Sequence, residues 1–320
     1  MKKIYALLFL SFLMIESFSQ ETKIYNGNYE GATTHGQARY EYYENDNYER
    51  IFDGSFKYNA TTPDYGLNLT ITGNYKKNKK HGKWIYKLTS TKQSSSEIKN
   101  FTSKLTGEYN KGDLKGIWTF KRTKAFNTVK KDFSKCNFVD NKFNGEFIYR
   151  NEAIGVKING NFNNNGFFDG IWKVEWGKET PFEEIRYYKD GFCYKLIYRN
   201  LSNGKIINRF DKSSLIKSVN LSGINKDTTL MIDEKKYKID LINKEVVDNT
   251  IYEDIYNDNY TGIRWIYNAL GFWICSEKMK CNFFMSEEID FVTGYYFYEI
   301  EHGTNKIDFV FEKKLTLIND

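Results

Sequence analysis

The chain has 320 residues, 40% of them hydrophobic and 28% charged, with a net charge of +6. That length holds two ordinary domains or one long repeat array, and the balance is that of a folded, soluble protein rather than a disordered one. Beyond the first residues no stretch of 18 apolar residues occurs, which argues against a membrane-spanning helix.

The start of the chain reads as a secretory leader, residues 1–19. Lys2 and Lys3 supply the positive charge, Tyr5 to Ile15 the apolar run, and Ser17 and Ser19 the small residues before a cut ahead of Gln20. Export to the periplasm, the cell surface or the medium is the expectation.

Aromatic residues make up 18% of the chain, 25 Tyr and 25 Phe among them, against 2 Pro, Pro63 and Pro181. Rings suit a half-buried pleated surface, and few prolines leave ladders unbroken, so strands are expected. From residue 20 to about 200 one pattern recurs: Gly-x-aromatic, a polar stretch, then Gly-x-aromatic or apolar. It opens with Gly27, Tyr29 and Gly36. Fuller copies follow at Gly73, Tyr75, Gly82 and Trp84, and at Gly107, Tyr109, Gly116 and Trp118. A further copy has Cys136 in the first glycine slot, with Phe138, Gly145 and Phe147; the last has Gly160, Phe162, Gly170 and Trp172. Fragments stand at Gly54-Ser55-Phe56 and at Tyr187 to Gly191.

In a strand, residues two apart share a face. One face of each copy therefore alternates bare glycine with a ring, and the glycine leaves room for a ring from the neighbouring strand. The stretches between, Lys76 to Lys80 and Asn110 to Asp113, are turn formers. Each copy is thus a β-hairpin, and because a lone hairpin is unstable the hairpins must stack. The fold class expected is all-β: stacked antiparallel hairpins, with a β-rich region at 201–320 that forms a separate domain or a cap.

Tyr25-Asn26-Gly27-Asn28-Tyr29-Glu30-Gly31 followed by His35-Gly36-Gln37-Ala38-Arg39-Tyr40 resembles a MORN repeat, as do His81-Gly82-Lys83-Trp84, Gly116-Ile117-Trp118 and Gly170-Ile171-Trp172. The resemblance covers about residues 25–195, with an irregular and mostly longer period. It implies an extended sheet that serves as a binding or scaffolding surface, and no reaction.

In the last third, Leu230 to Ile232 and Lys236 to Leu241 alternate as short strands, and Tyr295 to Phe311 reads as a hairpin around His302-Gly303-Thr304-Asn305. Ile263 to Cys275 reads as a buried strand pair or a short core helix.

No catalytic constellation stands out. Of three histidines, His35 and His81 repeat one slot and His302 precedes a turn glycine; none has metal-ligand spacing. There is no Gly-x-Ser-x-Gly elbow and no P-loop. No metal, cofactor or catalytic residue is therefore expected. Cys136, Cys193, Cys275 and Cys281 permit two disulfides in three pairings, or remain buried thiols. Carboxylates at Glu253-Asp254, Asp258 and Glu287-Glu288-Asp290 leave open a carbohydrate-active enzyme in the last third.

Charge is uneven. Residues 73–135 hold 17 Lys and Arg against 4 Asp and Glu, a net of +13, between acidic flanks. Lys76, Lys77, Lys79 and Lys80 are the candidate site for an anionic lipid or cell-wall polymer; the alternative is that turn lysines keep sheet edges soluble. Nucleic acid fits the charge but not the export. The expected partner is another protein or an anionic envelope surface.

Overall fold

The computed structural model describes residues 21–30, 35–62, 67–93, 98–125, 129–214, 229–232, 234–246, 262–263, 265–266, 269–270 and 307–318. The expected leader, Cys275 and Cys281, the acidic clusters from Glu253 to Asp290, and the turn expected at His302 lie outside them.

The described chain is almost entirely strand, in one open sheet that does not close into a barrel. Its first run is β1 (Lys23–Glu30), β2 (His35–Glu44), β3 (Arg50–Thr62), β4 (Leu67–Lys76), β5 (Lys79–Gln93), β6 (Ile98–Asn110), β7 (Asp113–Ala125) and β8 (Val129–Val139). The two-residue β9 (Lys142–Phe143) follows, then β10 (Gly145–Asn151), β11 (Val156–Phe162), β12 (Phe168–Trp176), β13 (Phe182–Lys189), β14 (Phe192–Asn200) and β15 (Ile206–Asp211). From β1 to β8 each strand pairs antiparallel with the next. β8 then pairs with both β9 and β10, and the meander continues to β15. The stacked hairpins read from the glycine spacing are therefore present.

Four hairpins turn on two residues that both have positive φ: Lys77-Asn78, Lys111-Gly112, Asp140-Asn141 and Asp190-Gly191. This is the geometry whose twist matches that of the strands, and Asn, Asp and Gly tolerate it best. The tips are tied together. The N–H of the second turn residue reaches back to a carbonyl of an earlier hairpin: Asn78 to Phe52, Gly112 to Lys80, Asn141 to Leu114 and Gly191 to Phe168. Where that residue is Asn the bond is reciprocal, because Asn78 Oδ1 accepts from the Phe52 N–H and Asn141 Oδ1 from the Leu114 N–H.

The last strands are β16 (Thr229–Ile232), β17 (Lys235–Val246) and β18 (Ile307–Leu317). β16 and β18 flank β17 antiparallel. β18 then meets β14 in parallel at Phe192 and Lys313, and the Lys313 N–H bonds to the Gly191 carbonyl at a hairpin tip. The short strands expected at 230–241 are observed. Of the two readings of Ile263 to Cys275, the described residues 263, 265, 266, 269 and 270 are helical, and Ile266, Ala269 and Leu270 are fully buried in the main core.

The period of two splits the sheet into two unlike faces. In β8, Asp132, Ser134, Cys136 and Phe138 are buried and alternate with more exposed residues. Pairing carries this parity through every hairpin. Phe56, Trp84, Trp118, Phe147 and Trp172 share one face, the spine face; lysine, threonine and asparagine dominate the other, the polar face.

Candidate functional site

The spine face is built by glycine. A Cβ placed on Gly73 would lie 2.2 Å from the Trp84 ring, on Gly107 1.9 Å from Trp118, and on Gly160 2.1 Å from Trp172. In these three copies the first glycine is therefore the floor on which the next strand's indole rests. At each of these glycines the register shifts, between Thr72 and Asn74, Thr106 and Glu108, and Asn159 and Asn161. The carbonyl of the following residue then accepts from the indole N–H: Asn74 from Trp84 at 3.1 Å, Glu108 from Trp118 at 3.2 Å, and Asn161 from Trp172 at 2.9 Å. A buried indole thus leaves no donor unmade.

The second glycine serves another purpose than the spacing suggested. Gly82, Gly116 and Gly170 have φ of +65, +67 and +67, and a Cβ there would meet nothing within 4 Å. These positions need glycine for backbone conformation, at the bulge that opens the second strand, and not for ring space. Gly145 has the same conformation, with φ +71. The first copy is irregular. Tyr25 covers Gly27 from its own strand and donates its hydroxyl to the Asn28 carbonyl, while Tyr58 covers Gly36.

The rings interlock. Tyr75 and Tyr109 meet Trp84 edge-on at 5.2 and 6.0 Å, and Phe162 meets Trp172 edge-on at 5.1 Å. Phe56 stacks with Trp84, and Phe147 with Trp172, each at 5.8 Å across the strand that carries the glycine. Tyr29 lies edge-on to Phe56 and Tyr58 at 5.9 and 5.8 Å. The repeat's rings named from the sequence are therefore brought together in one aromatic spine, while Gly82, Gly116 and Gly170 stand apart from the ring packing.

At its far end the spine becomes ionic. Glu184 pairs with Arg186 and accepts from the Gly262 N–H at 2.9 Å, fixing the helical segment onto the sheet. The Tyr188 hydroxyl donates to Glu312 at 2.5 Å, and Lys313 bonds Asp190 at 2.6 Å. Burial pushes the Cys193 thiol up to about 11 and the Tyr188 phenol well above its ordinary value. Both stay protonated at neutral pH, which suits packing and not a thiolate nucleophile. Cys136 and Cys193 are free thiols, and burial raises Cys136 as well. Among the described residues no three His, Cys, Asp or Glu side chains cluster as a metal site would require.

The four candidate lysines separate. Lys76, Lys77 and Lys79 are exposed at a hairpin tip. Lys80 instead turns onto the spine, with its ammonium 5.1 Å from the centre of Trp84, 5.5 Å from Tyr86 and 4.9 Å from Tyr109, and bonded to the Tyr86 hydroxyl at 3.0 Å. A different set gathers on the polar face. Lys87 stands opposite Lys104, and Lys104 opposite Lys121, all exposed. Beside them an open depression of about 340 Å³ is lined by Arg39, Lys57, Lys83, Thr72 and Asn74. Nothing in the local sequence marked this set, because its members come from three long strands and only the register makes them neighbours.

Fold and faces define an open all-β hairpin array with an apolar spine and a polar, partly cationic surface. No family model matches the chain, and no curated protein matches it.

Proposed function

We propose that this chain is an exported, non-catalytic member of the MORN-like hairpin arrays, and that it presents its polar face to a partner as a binding or scaffolding surface. The observation that carries this reading is the asymmetry of the sheet. One face is consumed by glycine-seated rings, while the other offers exposed lysine, threonine and asparagine on a framework fixed by strand pairing. The leader-like residues 1–19 support export.

A photoreactive side chain at Thr102 or Thr123, both exposed on the polar face, tests the reading against the same group at the tip residue Lys111. Adducts from a cell envelope that form only at the polar-face positions support it. Adducts from the tip alone, or substrate turnover by the purified chain, would overturn it. A protein recovered outside the cytoplasm should begin at Gln20; a chain that keeps Met1 and stays in the cytoplasm would overturn the export.

A further inference from the structure

The three lysines on the polar face form a line. Adjacent strands lie about 4.8 Å apart, so the side chains of Lys87, Lys104 and Lys121 span about 10 Å across β5, β6 and β7. Like charges directly opposite each other work against strand pairing. The carboxylates of this face are placed elsewhere: Glu108 stands opposite Lys83 and Lys115, Glu146 pairs with Lys135, and Glu183 with Lys173 and Arg199. Among the described residues none of the three aligned lysines has an ion-pair partner.

Uncharged hydroxyls border the line on both sides. Thr89, Thr102 and Thr123 stand opposite one another in one flanking row, and Thr106 and Thr119 in the other. The line continues onto β8 at Phe133, whose ring lies 6.0 Å from the Lys121 ammonium.

We propose that this track binds a linear acidic polysaccharide, with its carboxylate or sulfate groups on Lys87, Lys104 and Lys121 and its hydroxyls against the threonine rows. The inference rests on the reading of the polar face as the binding surface. Three features favour this occupant. Lys87, Lys104 and Lys121 form one row between rows of uncharged threonines, and a plane of lipid headgroups would also meet Glu108 and Glu146 on the same face. Single-stranded nucleic acid uses exposed rings for base stacking, whereas Trp84 and Trp118, on two of the strands that carry the track, are buried on the opposite face. A sugar polymer supplies both the anions and the hydroxyls that the two kinds of row complement.

The test uses the whole mature chain with polygalacturonate and dextran sulfate, with neutral dextran, single-stranded DNA and phosphatidylserine vesicles as comparisons. Two variants each remove three positive charges: Lys87→Thr/Lys104→Thr/Lys121→Thr on the track, and Lys76→Gln/Lys77→Asn/Lys79→Gln at the tip. The native chain should bind the acidic polysaccharides in a salt-sensitive manner and ignore neutral dextran. The track variant should lose about tenfold or more in affinity and the tip variant less than about threefold, with melting temperatures that confirm both remain folded. Equal losses from the two variants, no binding to either acidic polysaccharide, or track-dependent binding to DNA or vesicles instead would each overturn the proposal. If the polysaccharides fail while Thr102 still cross-links a protein partner, the track assignment falls and the reading of the polar face stands.

Discussion

Cys136 and Phe147 face each other where the neighbouring hairpins set glycine against tryptophan. The Ile148–Lys135 pairing carries Phe147 to Cys136, as the Ile85–Thr72 pairing carries Trp84 to Gly73. Both side chains are fully buried. A thiol with a smaller ring, in place of a glycine with an indole, keeps the combined volume of the two positions similar by opposite choices at each. Phe147→Trp alone should overfill the slot and destabilise by about 1–3 kcal/mol, and Cys136→Gly alone should leave a void. The double variant should recover most of the loss, and a double-mutant cycle measured by denaturant unfolding reads the coupling. Additive losses would show that the two side chains do not share one slot.

The two glycines of a copy should fail in different ways. Gly73→Ala drives a methyl into Trp84, and Trp84→Phe should relieve it in part. Gly82→Ala has open space and costs only the left-handed backbone, about 1–2 kcal/mol, of which Gly82→Asn should recover a share. Asn at position 73 should be no better tolerated than Ala. Thermal melts of the four glycine variants, and of the Gly73→Ala/Trp84→Phe double variant, distinguish ring space from backbone conformation.

Lys80 should act on stability and not on binding. Removal of its ammonium from the three rings, with Lys80→Gln, should cost about 1 kcal/mol. Polysaccharide affinity should stay close to native. A binding loss as large as that of the track variant would contradict its placement on the spine.

The lysine track predicts an unusual salt response. Lys104 stands between two lysines, so Lys104→Thr should stabilise the fold by about 0.2–1 kcal/mol for each opposed pair removed. Added salt should raise the melting temperature of the native chain more than that of the variant, because there is more repulsion to screen. A destabilised variant would mean that another contact holds Lys104 in place.

Alkaline pH should loosen the spine. Burial against Trp84 raises the Tyr75 phenol to about 12, against the opposing pull of Lys80, and burial raises the Cys193 thiol to about 11. In both cases the folded state holds its proton more tightly than the unfolded chain does. The stability this represents is complete below the unfolded values, near 10 and 9, and is lost as pH rises through the folded ones. Unfolding free energy should therefore fall from about pH 9 to about pH 12, and Tyr75→Phe should flatten the upper part of that decline. An unchanged slope in the variant would place the proton uptake elsewhere.

The hairpins were legible in the sequence because their signals are local. Glycine and ring two residues apart, with Lys77-Asn78 or Lys111-Gly112 between strands, state face and turn within a dozen residues. The separate roles of Gly73 and Gly82 were not legible, since spacing alone places both on one face and says nothing of φ. The lysine track escaped for a reason of scale: Lys87, Lys104 and Lys121 lie on three different strands, and their alignment follows from the full register of β5 to β7. The Tyr188–Glu312 bond joins β13 to β18 across 124 residues of chain, and no period connects them.

The bonds between hairpin tips give the array a direction. Asn78, Gly112, Asn141 and Gly191 each donate to a strand that precedes them in the chain. At the Gly112 and Gly191 tips, loss of hairpins from the carboxyl end leaves only a spare carbonyl of this bond, whereas at the Asn78 and Asn141 tips it frees the Phe52 or Leu114 N–H as well. Loss from the amino end strands an N–H, the more costly group to leave unmade. Nested truncations should thus be tolerated unequally, and a nascent chain that emerges amino terminus first meets each acceptor already in place. Growth of such an array by duplication is simplest at its trailing end.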